Sequence, residues 1–262
     1  MAEQYVQLKW VESGVALVTI ARERSLNALN SEVLDQLEAS LDVIEANPEA
    51  RVAVVTGQGN KAFVAGADIS AINQAVDEEQ ARGFAERGQK LFQRFQTSRV
   101  LFIAAINGYA LGGGMELAMA LDIRVAAESA RLGQPEINLG IIPGFGGTQR
   151  LTRLIGYGRA LWMIASGQPV LARDALEMGL VEAVVPLDSL LDECLARARE
   201  LAKKAPLALA ECKWMAVGSR DWDITMGLKK EAQAFARLAV SGDGKEGTRA
   251  FLEKRSPEFR GN

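Results

Sequence analysis

Two glutamates sit in settings that would change their chemistry. Glu116 closes the stretch Asn107-Gly-Tyr-Ala-Leu-Gly112-Gly113-Gly114-Met115-Glu116, where an apolar strand pattern runs into three glycines, and the strong helix formers Leu-Ala-Met-Ala120 follow. Glycines let a ligand atom approach bare main chain, and a helix start offers unpaired N–H groups with partial positive charge, a place for a developing oxyanion. The helix dipole predicts an ionised Glu116, able to act as a base. Glu136 stands in Gly133-Gln-Pro135-Glu136-Ile-Asn-Leu-Gly140-Ile-Ile-Pro143-Gly-Phe-Gly-Gly147-Thr-Gln-Arg150, among Ile137, Leu139, Ile141 and Ile142. Desolvation there predicts a carboxyl kept protonated, the state a general acid needs. Two carboxyls pushed in opposite directions form an acid/base pair. Taken alone, each segment also fits a plainer role, a tight strand-to-helix turn or a surface loop.

Composition narrows the chemistry further. The 262-residue chain contains no histidine, which excludes Ser-His-Asp and Cys-His hydrolases and His-ligated metals. Its formal net charge of -3, with the signs interspersed, gives no field for a nucleic acid, although a local basic cluster could hold a small phosphorylated ligand. Cys194 and Cys212 are isolated and form neither a CxxC nor a bridge framework, which suits the cytoplasm. Val100 to Ile106 is the longest apolar run, far short of the ~20 residues that span a bilayer, and Met1 to Gln4 carries no basic-then-apolar export signal. Gly57-Gln-Gly59-Asn-Lys-Ala62 fits the outline of a dinucleotide fingerprint, but the glycine and poor helix formers of Phe63 to Asp68 stand where a helix should open.

The elements that must position these residues can be read in order. Tyr5 to Trp10 and Val15 to Ile20 predict a hairpin, and Asn30 or Ser31 caps a helix carrying Leu34, Leu37, Leu41 and Ile44. Arg51 to Thr56, Val100 to Ile106, Ile123 to Ala127 and Leu180 to Val185 read as strands. A polar stretch around Asp77 to Arg87 reads as mobile and precedes a helical pattern with Phe84, Leu91 and Phe95. Arg173 to Met178 reads as a short helix capped by Gly179. From about Ser189 every segment is helical in pattern, with apolar faces suited to packing on the core or another subunit.

Lys61-Ala-Phe-Val-Ala-Gly-Ala67-Asp68-Ile69, the Asn107 to Ala120 stretch and the Gly133 to Leu151 stretch together resemble the enoyl-CoA hydratase (crotonase) family over essentially the whole chain. The resemblance implies an α/β fold: a crotonase-like spiral of ββα units in residues 1–188, then a helical C-terminal oligomerisation region in 189–262 forming a homotrimer or homohexamer. It implies an oxyanion hole from the amides of Ala67 and Gly113, with Glu116 and Glu136 as the catalytic acids. The implied reaction is reversible syn hydration of a trans-2-enoyl-CoA, using no cofactor beyond the CoA of the substrate, and no nucleic-acid or membrane partner. An enoyl-CoA isomerase or another CoA-thioester enzyme is the alternative, but keeping both glutamates favours hydration. Substrate contacts are implied at Arg24, Ala67, Asp68, Ile69, Ser70 and Gly113, with Phe251 and Lys254 lent to a neighbouring subunit's CoA. The segment Arg22-Glu23-Arg24-Ser25-Leu26-Asn27-Ala28-Leu29 departs from the family by carrying Glu23 in place of proline, and Ser70 stands where relatives often carry a charge.

Overall fold

The computed structural model describes residues 3–262; Met1 and Ala2, which open the segment read for an export signal, lie outside them. The predicted hairpin is β1 (Val6–Glu12) and β2 (Val15–Ile20), paired antiparallel. A 3-10 turn (Glu23–Ser25) leads to α1 (Ser31–Ala46), whose N-cap Asn30 accepts the Val33 N–H and whose buried stripe includes Leu34, Leu37, Leu41 and Ile44. Then come β3 (Val52–Gly57), β4 (Ala62–Val64), α2 (Ile69–Asn73), α3 (Glu78–Thr97), β5 (Leu101–Ile106), β6 (Tyr109–Leu111) and α4 (Gly113–Ala120). β7 (Ile123–Ala127), β8 (Arg131–Gly133), a 3-10 turn (Pro135–Leu139), α5 (Gly147–Ile155), α6 (Tyr157–Ser166), β9 (Val170–Leu171), α7 (Ala172–Glu177) and β10 (Ala183–Val185) follow. Four helices end the chain: α8 (Leu187–Ala202), α9 (Pro206–Gly218), α10 (Ile224–Ala239) and α11 (Gly242–Leu252).

The strands form two sheets, one ordered β1-β2-β3-β5-β7-β10 and one ordered β4-β6-β8-β9. Each turn of the chain gives its first strand to the large sheet and its second to the small one: β3 with β4, β5 with β6, β7 with β8. This is the ββα spiral. Alternation along the strands serves a core on each face of the large sheet. Ala53 and Val55 join Phe102, Ala104 and Ile106 on the side of α1 and α4, while Val52 and Val54 pack with Leu190, Cys194 and Ala198 of α8 on the other.

β4, β6 and β8 run parallel side by side, so their carboxyl ends lie together. Ala67 follows β4, Gly113 follows β6 and Glu136 follows β8. The carboxyl ends of parallel strands are where open α/β sheets place ligands.

Two readings are corrected by the structure. The polar stretch from Asp77 to Arg87 is not a mobile segment but the first half of α3, capped by Asp77 accepting the Gln80 N–H; its residues are polar because much of this half faces outward. The strand expected over Leu180 to Val185 is shortened to β10, because the Leu180 N–H bonds to Ala175 and its carbonyl takes the Arg124 guanidinium. Gly57 and Gly59 bind no dinucleotide helix. Chain runs from β3 back into β4 so closely that a Cβ on Gly57 would lie 2.3 Å from two carbonyl oxygens, and Asn107 clamps this turn through both glycine carbonyls.

The C-terminal helices are tied to the core by Lys213 of α9. Its buried ammonium donates to the carbonyls of Phe95 and Val100, 2.7 Å each, and pairs with Asp122 at 2.8 Å. Among the described residues no helix is long and apolar enough to cross a membrane.

Candidate active site

α4 begins at the floor of a 1220 Å³ cavity and is buried along its whole length. Three glycines make that possible, each differently. Gly112 adopts φ +50°, Gly114 lies where a Cβ would meet the Val64 carbonyl at 1.9 Å, and a Cβ on Gly113 would point at the Ala67 amide nitrogen, 3.1 Å away. Among the described residues neither the Ala67 nor the Gly113 N–H has an acceptor. Gly113 opens the helix, so its amide is free by position; the bridge between Ala67 and Leu29 is carried by the Leu29 N–H to Gly66 and the Asp68 N–H to Leu29, which leaves the Ala67 amide out of it. Two acceptor-free amides thus lie close together among the residues lining the cavity.

Glu116 is 2% exposed, and its Oε1 accepts two backbone N–H bonds, from Phe145 and Gly147, both at 2.7 Å. These favour the charged form, but burial outweighs them, and the nearby Glu136 adds repulsion, so the carboxyl is pushed up to about 7. The dipole expected to favour an ionised Glu116 is therefore outweighed by burial. A dipole at a first turn contributes about 0.3–2 kcal/mol, whereas removing a carboxylate from water costs several. Glu136 is raised to about 7 as well, mainly by burial. The pair is raised together rather than driven apart. Repulsion between them falls on whichever ionises second.

Groups that sequence reasoning missed hold these acids in place. The Gln134 amide, with its nitrogen turned to the carboxyl, donates to both Glu136 oxygens at 2.9 and 3.0 Å. Arg150 bonds to Gln96 at 2.9 Å and to the Phe145 carbonyl at 2.8 Å, fixing the loop whose amides grip Glu116. The Phe145 ring packs against Phe84 and Phe92 of α3. The repeated glycines of Gly144-Phe-Gly146-Gly147 were the available signal, since such runs expose consecutive amides to an anion. Asn27, with φ +60°, donates to the carbonyls of Gln58 and Ala62 and so fixes the approach to β4.

Of the remaining expected contacts, Ile69 lines the same cavity as Ala67, Gly113, Glu116 and Glu136. Asp68 is occupied elsewhere. It accepts from the Ser70 hydroxyl at 2.6 Å and pairs with Arg22 at 2.9 Å; the Ser70 bond, with help from Arg22, holds it below the usual carboxylate range despite partial burial. Arg24 is exposed on its 3-10 turn outside the cavity. Phe251, 84% exposed, and Lys254 lie at the end of α11, also outside the cavity of their own chain.

The family model described as Enoyl-CoA hydratase/isomerase matches residues 11–262. A probable enoyl-CoA hydratase of Bacillus subtilis is 43% identical over 252 residues, covering 96% of this chain and 97% of that protein. The short-chain-enoyl-CoA hydratase of Clostridium acetobutylicum is 42% identical, covering 94% of each. The crystal structure of an enoyl-CoA hydratase from Bacillus anthracis, 40% identical, superposes with a TM-score of 0.94 over 99% of this chain and 100% of that one. With the spiral fold and these matches over nearly its full length, the chain belongs to the enoyl-CoA hydratase/isomerase, or crotonase, family.

Proposed function

We propose that the chain is an enoyl-CoA hydratase, a hydro-lyase that adds water reversibly across the double bond of a trans-2-enoyl-CoA. The thioester oxygen accepts from the Ala67 and Gly113 amides. Glu116 takes a proton from water as its oxygen bonds to C3, the double-bond electrons move toward C2 and the thioester oxygen, and Glu136 delivers its proton to C2. Water's hydrogen ends on one glutamate while the other loses one, so exchange through the pair restores the starting state. The mechanism uses only the chain's own groups and the substrate, CoA included. One observation carries this reading: two carboxyls, both pushed up to about 7 mainly by burial, at one cavity beside two acceptor-free amides. General acid and base catalysis near neutral pH needs one such group in each state.

Ala67, Gly113 and Ile69 meet the substrate from within the chain; Asp68 and Ser70 shape the segment that carries them. Arg24, exposed outside the cavity, is assigned to the CoA phosphates, and Phe251 and Lys254 to the CoA of a neighbouring subunit. That last assignment requires a homotrimer or homohexamer, which the exposed apolar side chains of the C-terminal helices support, among them Phe235, Val240, Phe251 and Leu252. The cytoplasm is the compartment this reading assigns.

The test is the loss of enoyl-thioester absorbance on adding crotonyl-CoA, compared with migration of the double bond in a 3-enoyl-CoA. Faster migration than hydration would favour the isomerase reaction and overturn the proposal.

A further inference from the structure

Apart from the two glutamates, the charged side chains lining the cavity are Lys90, Arg150, Arg153, Arg220 and Asp221. Four cations face one acid, in a chain whose net charge is -3. Part of this excess has a structural use: Arg150 braces Gln96 and Phe145, and Arg153 lies 3.6 Å from Asp221. Lys90, exposed on α3, and Arg220, exposed in the turn after α9, differ: among the described residues neither side chain makes a hydrogen bond or ion pair. Some desolvation and the charges of Arg124 and Arg153 weigh against the Arg220 cation, with Asp122 and Asp221 in partial compensation.

Hydrogen bonds and charge connect these groups at the cavity. The Phe145 N–H holds Glu116 and the Phe145 carbonyl takes Arg150, whose charge interacts favourably with Glu116 and unfavourably with Arg220. Arg153 opposes and Asp221 favours the Arg220 cation in turn. Phe84, Ala85, Ile141 and Ile142 supply apolar wall. At 1220 Å³ the cavity exceeds the ~300–1,000 Å³ of ordinary small-ligand pockets. It therefore has room for a chain reaching from the glutamates to an unneutralised guanidinium.

We propose that this arm of the cavity receives an acyl chain ending in a carboxylate, the CoA monothioester of an unsaturated dicarboxylic acid, with Arg220 binding the remote carboxylate. The inference rests on the hydratase reading above and adds the class of acyl group. A methyl-ended tail would lay hydrocarbon against a cation and take its remaining water, whereas a carboxylate offers the planar, two-point acceptor that a guanidinium fits. Being remote from C2 and C3, the contact changes little during reaction and shows in KM and kcat/KM more than in kcat.

The experiment measures hydration of two trans-2-enoyl-CoA series, six to ten acyl carbons long, one ending in methyl and one in carboxylate, with crotonyl-CoA as reference. At the best-fitting length the carboxylate series should lead in kcat/KM by about ten- to a hundredfold, the scale of a charge-assisted hydrogen bond. Arg220→Met should abolish that lead and leave the methyl series within about twofold, and Arg220→Lys should restore part of it. If the parent hydrates crotonyl-CoA yet favours methyl-ended chains, the inference falls and the hydratase reading stands. A loss spread equally over both series and crotonyl-CoA would assign Arg220 to the CoA phosphates and overturn the inference. Hydration of neither series would overturn both.

Discussion

Replacing Glu116 with glutamine should make the protein more stable at alkaline pH while making it a poorer catalyst. The carboxyl has an ordinary value of 4.5 and is raised to about 7 in the fold. A folded-state value above the unfolded one means that folding binds a proton: the group has no cost below about 4.5, and stability is lost as the pH rises through about 7. The shift corresponds to a ceiling of about 3 kcal/mol once the pH is well above 7. Glutamine keeps an oxygen for the Phe145 and Gly147 N–H bonds and never ionises, so the variant escapes this loss. Urea unfolding of parent and Glu116→Gln at pH 5 and pH 8.5, at one protomer concentration, should give a difference that moves toward the variant by about 1–3 kcal/mol between the two. A difference independent of pH would refute the argument that burial governs this carboxyl.

Glu116→Gln and Glu136→Gln should each lower kcat for crotonyl-CoA by at least ~10²-fold with CoA binding nearly unchanged, measured by steady-state kinetics beside competition by CoA. Since hydration needs one glutamate ionised and one protonated, parent activity should fall on both sides of about pH 7, and a pH–rate profile flat from 5 to 9 would exclude the pair as acid and base. Gly113→Ala places its Cβ 3.1 Å from the Ala67 amide and should cost well over tenfold in kcat/KM with a small change in melting, whereas Gly114→Ala, meeting the Val64 carbonyl at 1.9 Å, should lower the melting temperature. Light scattering should find a trimer or hexamer, and a Lys254→Met chain should raise KM for crotonyl-CoA without changing that assembly.

Legibility in the sequence followed the range of the forces involved. Local signals were sufficient for the Asn30 cap, the α1 stripe and β7, because spacing and capping act within a few residues. The crotonase spiral was readable because its glycine turns require long, specific motifs. Burial was harder to read. Glu116 looks like a helix-start carboxylate until α3, α5 and the Phe145 loop close over it, and no local pattern reports that closure. The same holds for α3, whose first half is polar in sequence yet positions Phe84 and Gly88 against Phe145. Arg22 and Arg24 could not be ranked from spacing alone; the fold commits Arg22 to Asp68 and leaves Arg24 exposed.

The absence of histidine gives the arrangement of the two glutamates its logic. An exposed carboxyl near its usual 4.5 is a weak base and almost never a proton donor at neutral pH, so a chain without imidazole that relies on carboxyls there must raise them. Burial alone would raise Glu116 and leave it protonated; the Phe145 and Gly147 amides counter this and keep the anion accessible. Glu136, more open and held by Gln134, is the partner with room to meet substrate. Repulsion then keeps the second proton from leaving when the first has gone, which gives the site an acid and a base of the same residue type. The cost is a fold that loses stability as the pH rises through the range where it works, and the two apolar cores flanking the large sheet offset that loss.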